Sequence, residues 1–100
     1  MIVVKFHGIL SSLIDKNAEC IDNIYKDSIK KDLNDNIYSL YFPFKKSFVF
    51  KDLLDELSIP QEYISCISIN GKGHIKNKGF FDIVISDGDT LEIYPLLAAG

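Results

Sequence analysis

Apolar and polar residues alternate from Ile2 to His7. Ile2, Val4 and Phe6 point one way, and Val3, Lys5 and His7 point the other. One wholly apolar side and one mixed side is the pattern of a strand buried on a single face. Gly8 ends or bends that strand. Residues 8–36 carry the weakest pattern. Asp15-Lys16-Asn17 and Asn34-Asp35-Asn36 read as turns. Between them Ile21, Tyr25, Ile29 and Leu33 recur every fourth residue, the ladder of one helix face, with lysines at 26, 30 and 31 and aspartates at 22, 27 and 32 around it. A surface helix is predicted there.

Tyr38, Leu40 and Phe42 alternate with Ser39 and Tyr41, which predicts a strand over 38–44. Pro43 has no N–H for a ladder, so it ends that strand or confines it to an edge. Lys45-Lys46-Ser47 reads as the next turn. Phe50, Leu53, Leu54 and Leu57 then fall at i, i+3, i+4 and i+7, with Lys51, Asp52, Asp55 and Glu56 opposite. This is the clearest helical signal in the chain. Ser47 is its candidate N-cap. Pro60 is its predicted stop, because the residue before a proline is pushed out of the α region. Ser65 to Ile69 reads as a strand with Ile67 and Ile69 inward, closed by Asn70-Gly71. A short strand over 82–86, the Asp87-Gly88 pair and a strand over 90–94 with Leu91 and Ile93 inward read together as a hairpin. The predicted core is Ile2, Val4, Phe6, Leu53, Leu57, Ile67, Ile69, Leu91 and Ile93.

The chain's 100 residues, 47% apolar and 25% charged, describe one globular domain over 1–100. Eleven lysines, no arginine and fourteen carboxylates leave a formal charge of −3. A net negative chain without the guanidinium fork that reads guanine argues against a nucleic-acid partner. No apolar run reaches the ~20 residues of a membrane span. Met1 to His7 lacks the basic start and small-residue cleavage site of a secretory signal, so a cytoplasmic location without membrane association is expected. Cys20 and Cys66 belong to no Cys-x-x-Cys pair, and His7 and His74 are equally scattered, so reduced thiols and no metal are expected. Gly71-Lys72-Gly73 lacks the spacing of a phosphate loop, which argues against a cofactor bound by this chain itself.

The last fourteen residues change the picture. Asp87-Gly88-Asp89, then Thr90-Leu91-Glu92-Ile93-Tyr94-Pro95, then Leu96-Leu97-Ala98-Ala99-Gly100 make a turn, a strand, an aromatic-proline pair and a small-residue tail ending in glycine. This stretch resembles the end of the MoaD/ThiS sulfur carriers. Ile69-Asn70-Gly71-Lys72 resembles that family's third-strand turn, Phe50 to Leu57 its helix, and Ile2 to His7 its first strand. The likeness covers residues 1–7 and about 37–100, leaving a helical insertion after the first strand outside it.

The resemblance implies an α+β, ubiquitin-like β-grasp fold, with a mixed sheet packed on one main helix. It implies no enzyme but a protein cosubstrate, the small-subunit type of molybdopterin synthase. An adenylating partner of the ubiquitin-activating kind would use ATP to activate the carboxyl group of Gly100. The resulting thiocarboxylate would give its sulfur to a pterin precursor on the molybdopterin synthase large subunit, in molybdenum or tungsten cofactor biosynthesis. Glycine suits a tail that threads a narrow site, because it lacks a Cβ and accepts any φ. The family usually ends in Gly-Gly, whereas Ala99 precedes Gly100 here and adds a methyl group where the tail would enter the partner. Partner docking is expected at His7, Tyr94, Pro95, Leu96, Leu97, Ala98 and Ala99, since in this fold Tyr94 neighbours His7 on the outward face of the first strand. The alternatives are a thiamin-type carrier, a protein modifier joined through Gly100, and a non-catalytic ubiquitin-like interaction module.

Overall fold

Strands form where one-sided burial is available, and the computed structural model, which describes residues 1–16, 29–30, 37–43 and 46–96, joins six of them in one sheet. The elements in chain order are β1 (Ile2–His7), α1 (Ile9–Lys16), β2 (Ile29–Lys30), β3 (Ile37–Phe42), β4 (Ser47–Val49), α2 (Phe50–Glu56), β5 (Ile64–Ile69), β6 (Lys72–Ile75), β7 (Val84–Ser86) and β8 (Thr90–Pro95). Short 3₁₀ turns occupy Gln61–Tyr63 and Phe80–Asp82. The larger sheet runs β2-β3-β1-β8-β5-β6, and β4 pairs with β7 in a separate two-stranded sheet. β1 and β8 are parallel while every other pairing is antiparallel, so the architecture is α+β with a mixed sheet. No helix among the described residues is long and apolar enough to cross a membrane.

Alternation places the core as expected. Ile2, Val4, Phe6, Leu53, Leu57, Ile67, Leu91 and Ile93 are buried, and Ile69 is half-buried against them. Leu10 and Ile14 of α1, Tyr38, Leu40 and Phe42 of β3, and Phe50 and Leu54 of α2 complete the same cluster. Phe50 meets Phe80 edge-on at 5.6 Å and lies over Phe81 at 5.8 Å, tying α2 to the second 3₁₀ turn.

Several expectations need correction. Asp15 and Lys16 belong to α1 and not to a turn, because Leu10, Leu13 and Ile14 repeat at helical spacing and two of them are fully buried. Ile29 and Lys30 form a strand against Leu40 and Ser39, which interrupts the helix predicted through Ile29; Ile21, Tyr25 and Leu33 lie outside the described residues. Ser47 starts β4 and caps nothing. Val49 occupies the N-cap position with no side-chain bond, because pairing of Phe48 with Ile85 draws this segment into a strand. β3 stops at Phe42, before Pro43. Lys72–Ile75 is a strand that alternation did not announce, since Lys72, Gly73 and Ile75 are exposed and His74 is only half-buried. Cys20 lies outside the described residues, and Cys66 is a free thiol.

The helix ends at Glu56, within the span that the apolar ladder marks. α2 terminates before Pro60, where Ser58 takes a left-handed φ of 57°. Ile59 N–H donates to Leu54 O at 3.0 Å and Ser58 N–H to Asp55 O at 3.2 Å, the paired bonds of a Schellman motif. Buried Ile59 and Leu54 make its apolar closure.

Two Xaa-Gly pairs that look alike in sequence behave differently. Asn70 and Gly71 both have positive φ, at 54° and 85°, and close the β5–β6 hairpin as a type I′ turn requires. At Asp87-Gly88 only the glycine is positive, at 93°, and the turn sends the chain from β7 in one sheet to β8 in the other. The expected β7–β8 hairpin does not form. Asp89 braces this crossing. Its carboxylate accepts from Asn70 Nδ2 and from Ser86 N–H, each at 2.8 Å, and Asn70 Oδ1 accepts Thr90 N–H at 2.8 Å. The Met1 amino group pairs with Asp87 beside it. The Ser86 N–H first, and then the Asn70 amide, hold the Asp89 carboxyl below the usual carboxylate range.

Two expected outcomes follow from these turns. A left-handed serine is strained relative to glycine, so Ser58→Gly raises stability by up to about 1 kcal/mol in urea unfolding; a loss would show that Ser58 is not the helix-ending residue. Because the pKa of Asp89 is depressed in the folded state, its stabilisation is complete above its unfolded value of about 3.9 and is lost as pH falls through the lower folded value. Asp89→Asn therefore lowers the thermal midpoint at pH 7, and its difference from the wild type shrinks as pH drops below about 4.

Candidate functional site

β8 alternates Leu91 and Ile93 inward with Glu92 and Tyr94 outward, as β1 alternates Phe6 inward with Lys5 and His7 outward. The parallel register sets Phe6 beside Ile93, so the next outward residues, His7 and Tyr94, meet. Their rings stack with centroids 4.4 Å apart and planes 21° from parallel. His7 Nε2 lies 3.1 Å from Glu92 Oε1. On the far side of β8, Cys66 of β5 sits opposite Tyr94. Burial first, then the nearby Glu92 carboxylate and Cys66, push the Tyr94 hydroxyl above its ordinary value. Tyr94 is thus a neutral phenol at physiological pH, presenting ring surface and a hydrogen-bonding tip.

The sheet stops one residue later. Pro95 stands opposite Ile64, and its ring rests against Gly8. Gly8 has a φ of +58°, and a Cβ there would come within 3.0 Å of Pro95 Cγ, so this junction requires glycine on both counts. Leu96 N–H then donates to Tyr63 O at 2.7 Å, fixing the direction in which the chain leaves β8. The Leu96 side chain is 56% exposed. On one side of it lies a groove lined by Ser65, Cys66, Tyr94 and Pro95. On the other lies a groove lined by Ile9, Glu62 and Tyr63, where Ile9 is 64% and Tyr63 46% exposed.

The structure therefore brings together His7, Tyr94, Pro95 and Leu96 at one end of the sheet. Leu97, Ala98, Ala99 and Gly100 lie outside the described residues. Ile9, Tyr63 and Cys66 join the site without having been singled out for it. Ile9 opens α1 directly after Gly8 and Tyr63 closes the 3₁₀ turn after Pro60, positions where no strand alternation marks which way a side chain faces. Chemically the patch offers apolar and aromatic surface with one His–carboxylate contact. Among the described residues no group of three His, Cys, Asp or Glu side chains is placed to hold a metal ion.

The Gly8–Pro95 contact makes a sharp test. Gly8→Ala combines a positive φ with a clash, and is expected to destabilise the fold by about 1–3 kcal/mol in urea. The amide resonances of Tyr63 and Leu96 should shift with it, and an unchanged Leu96 environment would show that Pro95 is not seated on Gly8.

Comparison with known proteins finds no matching family model, no matching curated protein and no matching solved structure.

Proposed function

We propose that this chain is a sulfur carrier with a ubiquitin-like β-grasp fold, of the molybdopterin synthase small-subunit type, working in the cytoplasm. The observation that carries the reading is the exit of the chain from β8. A central strand ends at Pro95 against Gly8, and Leu96 leaves it between two apolar grooves. A carrier needs this arrangement: a rigid body with a docking surface, and a reacting group a few residues beyond its edge. The parallel pairing of β1 with β8, with β3 and β5 flanking them, supports the fold assignment.

The chemistry belongs to the carboxyl group of Gly100, and the reading requires that group to be free. A carboxylate resists nucleophiles until an oxygen is made a leaving group. In the proposed sequence a Gly100 oxygen attacks the α-phosphorus of ATP on an adenylating partner and releases pyrophosphate. A sulfur nucleophile then displaces AMP, leaving a thiocarboxylate. The large subunit of molybdopterin synthase would receive this tail and take the sulfur. His7, Tyr94, Leu96 and the neighbouring Ile9 and Tyr63 supply the docking surface. Their burial offsets the ordering cost of the tail, about 1–2 kcal/mol per residue. The Ala99 methyl narrows the conformations open to the tail at the point where the partner must enclose it.

Incubation with the cognate adenylating enzyme, ATP and a sulfide donor is expected to replace one terminal oxygen by sulfur, read by intact mass. Deleting Gly100 should abolish the exchange, and Ala99→Gly should preserve or accelerate it. A wild-type chain that acquires neither adenylate nor sulfur from its verified partner ends the carrier reading in favour of a non-catalytic interaction module.

A further inference from the structure

Among the described residues no strand pairs with the outer edge of β6, the last strand of the large sheet, and the charged side chains there are basic. Asn70 N–H donates to Thr90 O at 2.9 Å, which fixes which residues of β5 bond to which neighbour. Cys66, Ser68 and Asn70 direct their backbone groups to β8, so Ile67 and Ile69 direct theirs to β6. On β6 their partners His74 and Lys72 are consumed in that ladder. Gly73 and Ile75 consequently aim their N–H and C=O groups away from the sheet, and no turn or loop bond among the described residues reaches them.

Side chains on this edge sort by parity as well. Ile75 shares the outer face with Cys66 and is 72% exposed, more than any other large apolar side chain described. Gly73 presents no side chain, and nothing lies within 4 Å of where its Cβ would be. Lys72 and His74 point to the opposite face, and Lys76 and Lys78 follow in the loop. Although the protein carries a net charge of −3, no carboxylate occurs between Glu62 and Asp82, the stretch that holds these lysines. Neither the Met1–Asp87 ion pair nor the His7–Glu92 contact uses Lys72, Lys76 or Lys78.

The geometry points to β6 as a strand-addition site for an acidic, extended segment of another protein. That segment would pair with Gly73 and Ile75, set an apolar side chain beside Ile75 and carry carboxylates on alternate residues toward the lysines. Main-chain bonds supply affinity in such a complex, and alternate side chains supply selectivity. Lysines on an edge also deter indiscriminate pairing. That deterrence selects the occupant: a second copy would bring the same lysines together, and like charges facing across a strand pair repel. An acidic strand converts the deterrent into attraction.

The probe is a peptide capped at both ends in which valine alternates with glutamate, titrated into the ¹⁵N-labelled protein. The Gly73 and Ile75 amides should shift most and become protected from exchange, while those of Ile9, Tyr63 and Leu96 stay in place. Gly73→Pro removes an outward donor without touching the β5–β6 ladder, so it should abolish binding with the thermal midpoint held. Lys76→Glu combined with Lys78→Glu should weaken binding by about tenfold and flatten its salt dependence. Should the proline variant fail to fold, this double lysine variant, altered only at exposed loop positions, carries the test. Equal binding of a peptide with lysine in place of glutamate, shifts centred on Leu96, no binding at all, or self-association through this edge would each overturn the proposal. Sulfur transfer to Gly100 is measured separately, so either reading can fail alone.

Discussion

The parallel pairing of β1 with β8 is the constraint on which everything else rests. These strands come from opposite ends of the chain and lie side by side in the middle of the sheet. Each presents a fully buried inner row, with Ile2, Val4 and Phe6 on one and Leu91 and Ile93 on the other. The pair is clamped at both ends. At one end Val3 N–H reaches Asp89 O at 3.1 Å and Gly88 N–H reaches Met1 O at 3.0 Å. At the other, His7 bonds Glu92 and Gly8 receives Pro95. Parallel neighbours cannot be joined by a tight turn, so the rest of the chain becomes one long crossover packed around them. Closing so long a loop comes before the contacts that reward it, which is the situation of a non-local, slow-folding topology.

How much of this was legible depended on whether one physical pattern governed a segment. Ile2–His7, Phe50 to Leu57 and Thr90 to Tyr94 each obey a single period, and each is where the pattern put it. The failures lie where two influences compete. Ser47 has the chemistry of a helix cap, yet the segment it opens gains more by pairing Phe48 with Ile85. Asp87-Gly88 has the composition of a hairpin turn, but a type I′ geometry needs both residues at positive φ and only Gly88 complies. The difference lies in tertiary demand: β8 is already claimed by β1 on one side and β5 on the other, leaving β7 no edge to join. Local sequence carries no record of that prior occupancy. Pro60 sets a limit that the helix respects, while the left-handed Ser58 is the residue that ends it.

The candidate site divides along the same line. His7 and Tyr94 could be paired in advance because alternation marks both as outward positions and the fold that the resemblance implies sets their strands side by side. Ile9 and Tyr63 could not, because each follows a backbone break, at Gly8 and at Pro60, where a side chain's direction depends on local dihedrals. The site thus combines strand residues that set its floor with residues of a helix start and a 3₁₀ turn that form its rim. Its floor inherits the rigidity of the central strands, and its rim sits where substitution costs the core least.

The outer face of the sheet is ordered row by row. Register places Ile37, His7, Tyr94, Cys66 and Ile75 in one row across β3, β1, β8, β5 and β6. The next row is Ser39, Lys5, Glu92, Ser68 and Gly73, which is small or charged throughout. Ser39 and Ser68 of this second row are buried, so the row shows its charge at Lys5 and Glu92. The middle of the first row and its β6 end differ in chemistry. At β8 that row meets the departing Leu96 and side chains dominate; at β6 it meets unpaired backbone among lysines. Were both proposals to hold, a tail-recognising partner and an edge-recognising partner would meet this row at different strands, one at β8 and the other at β6.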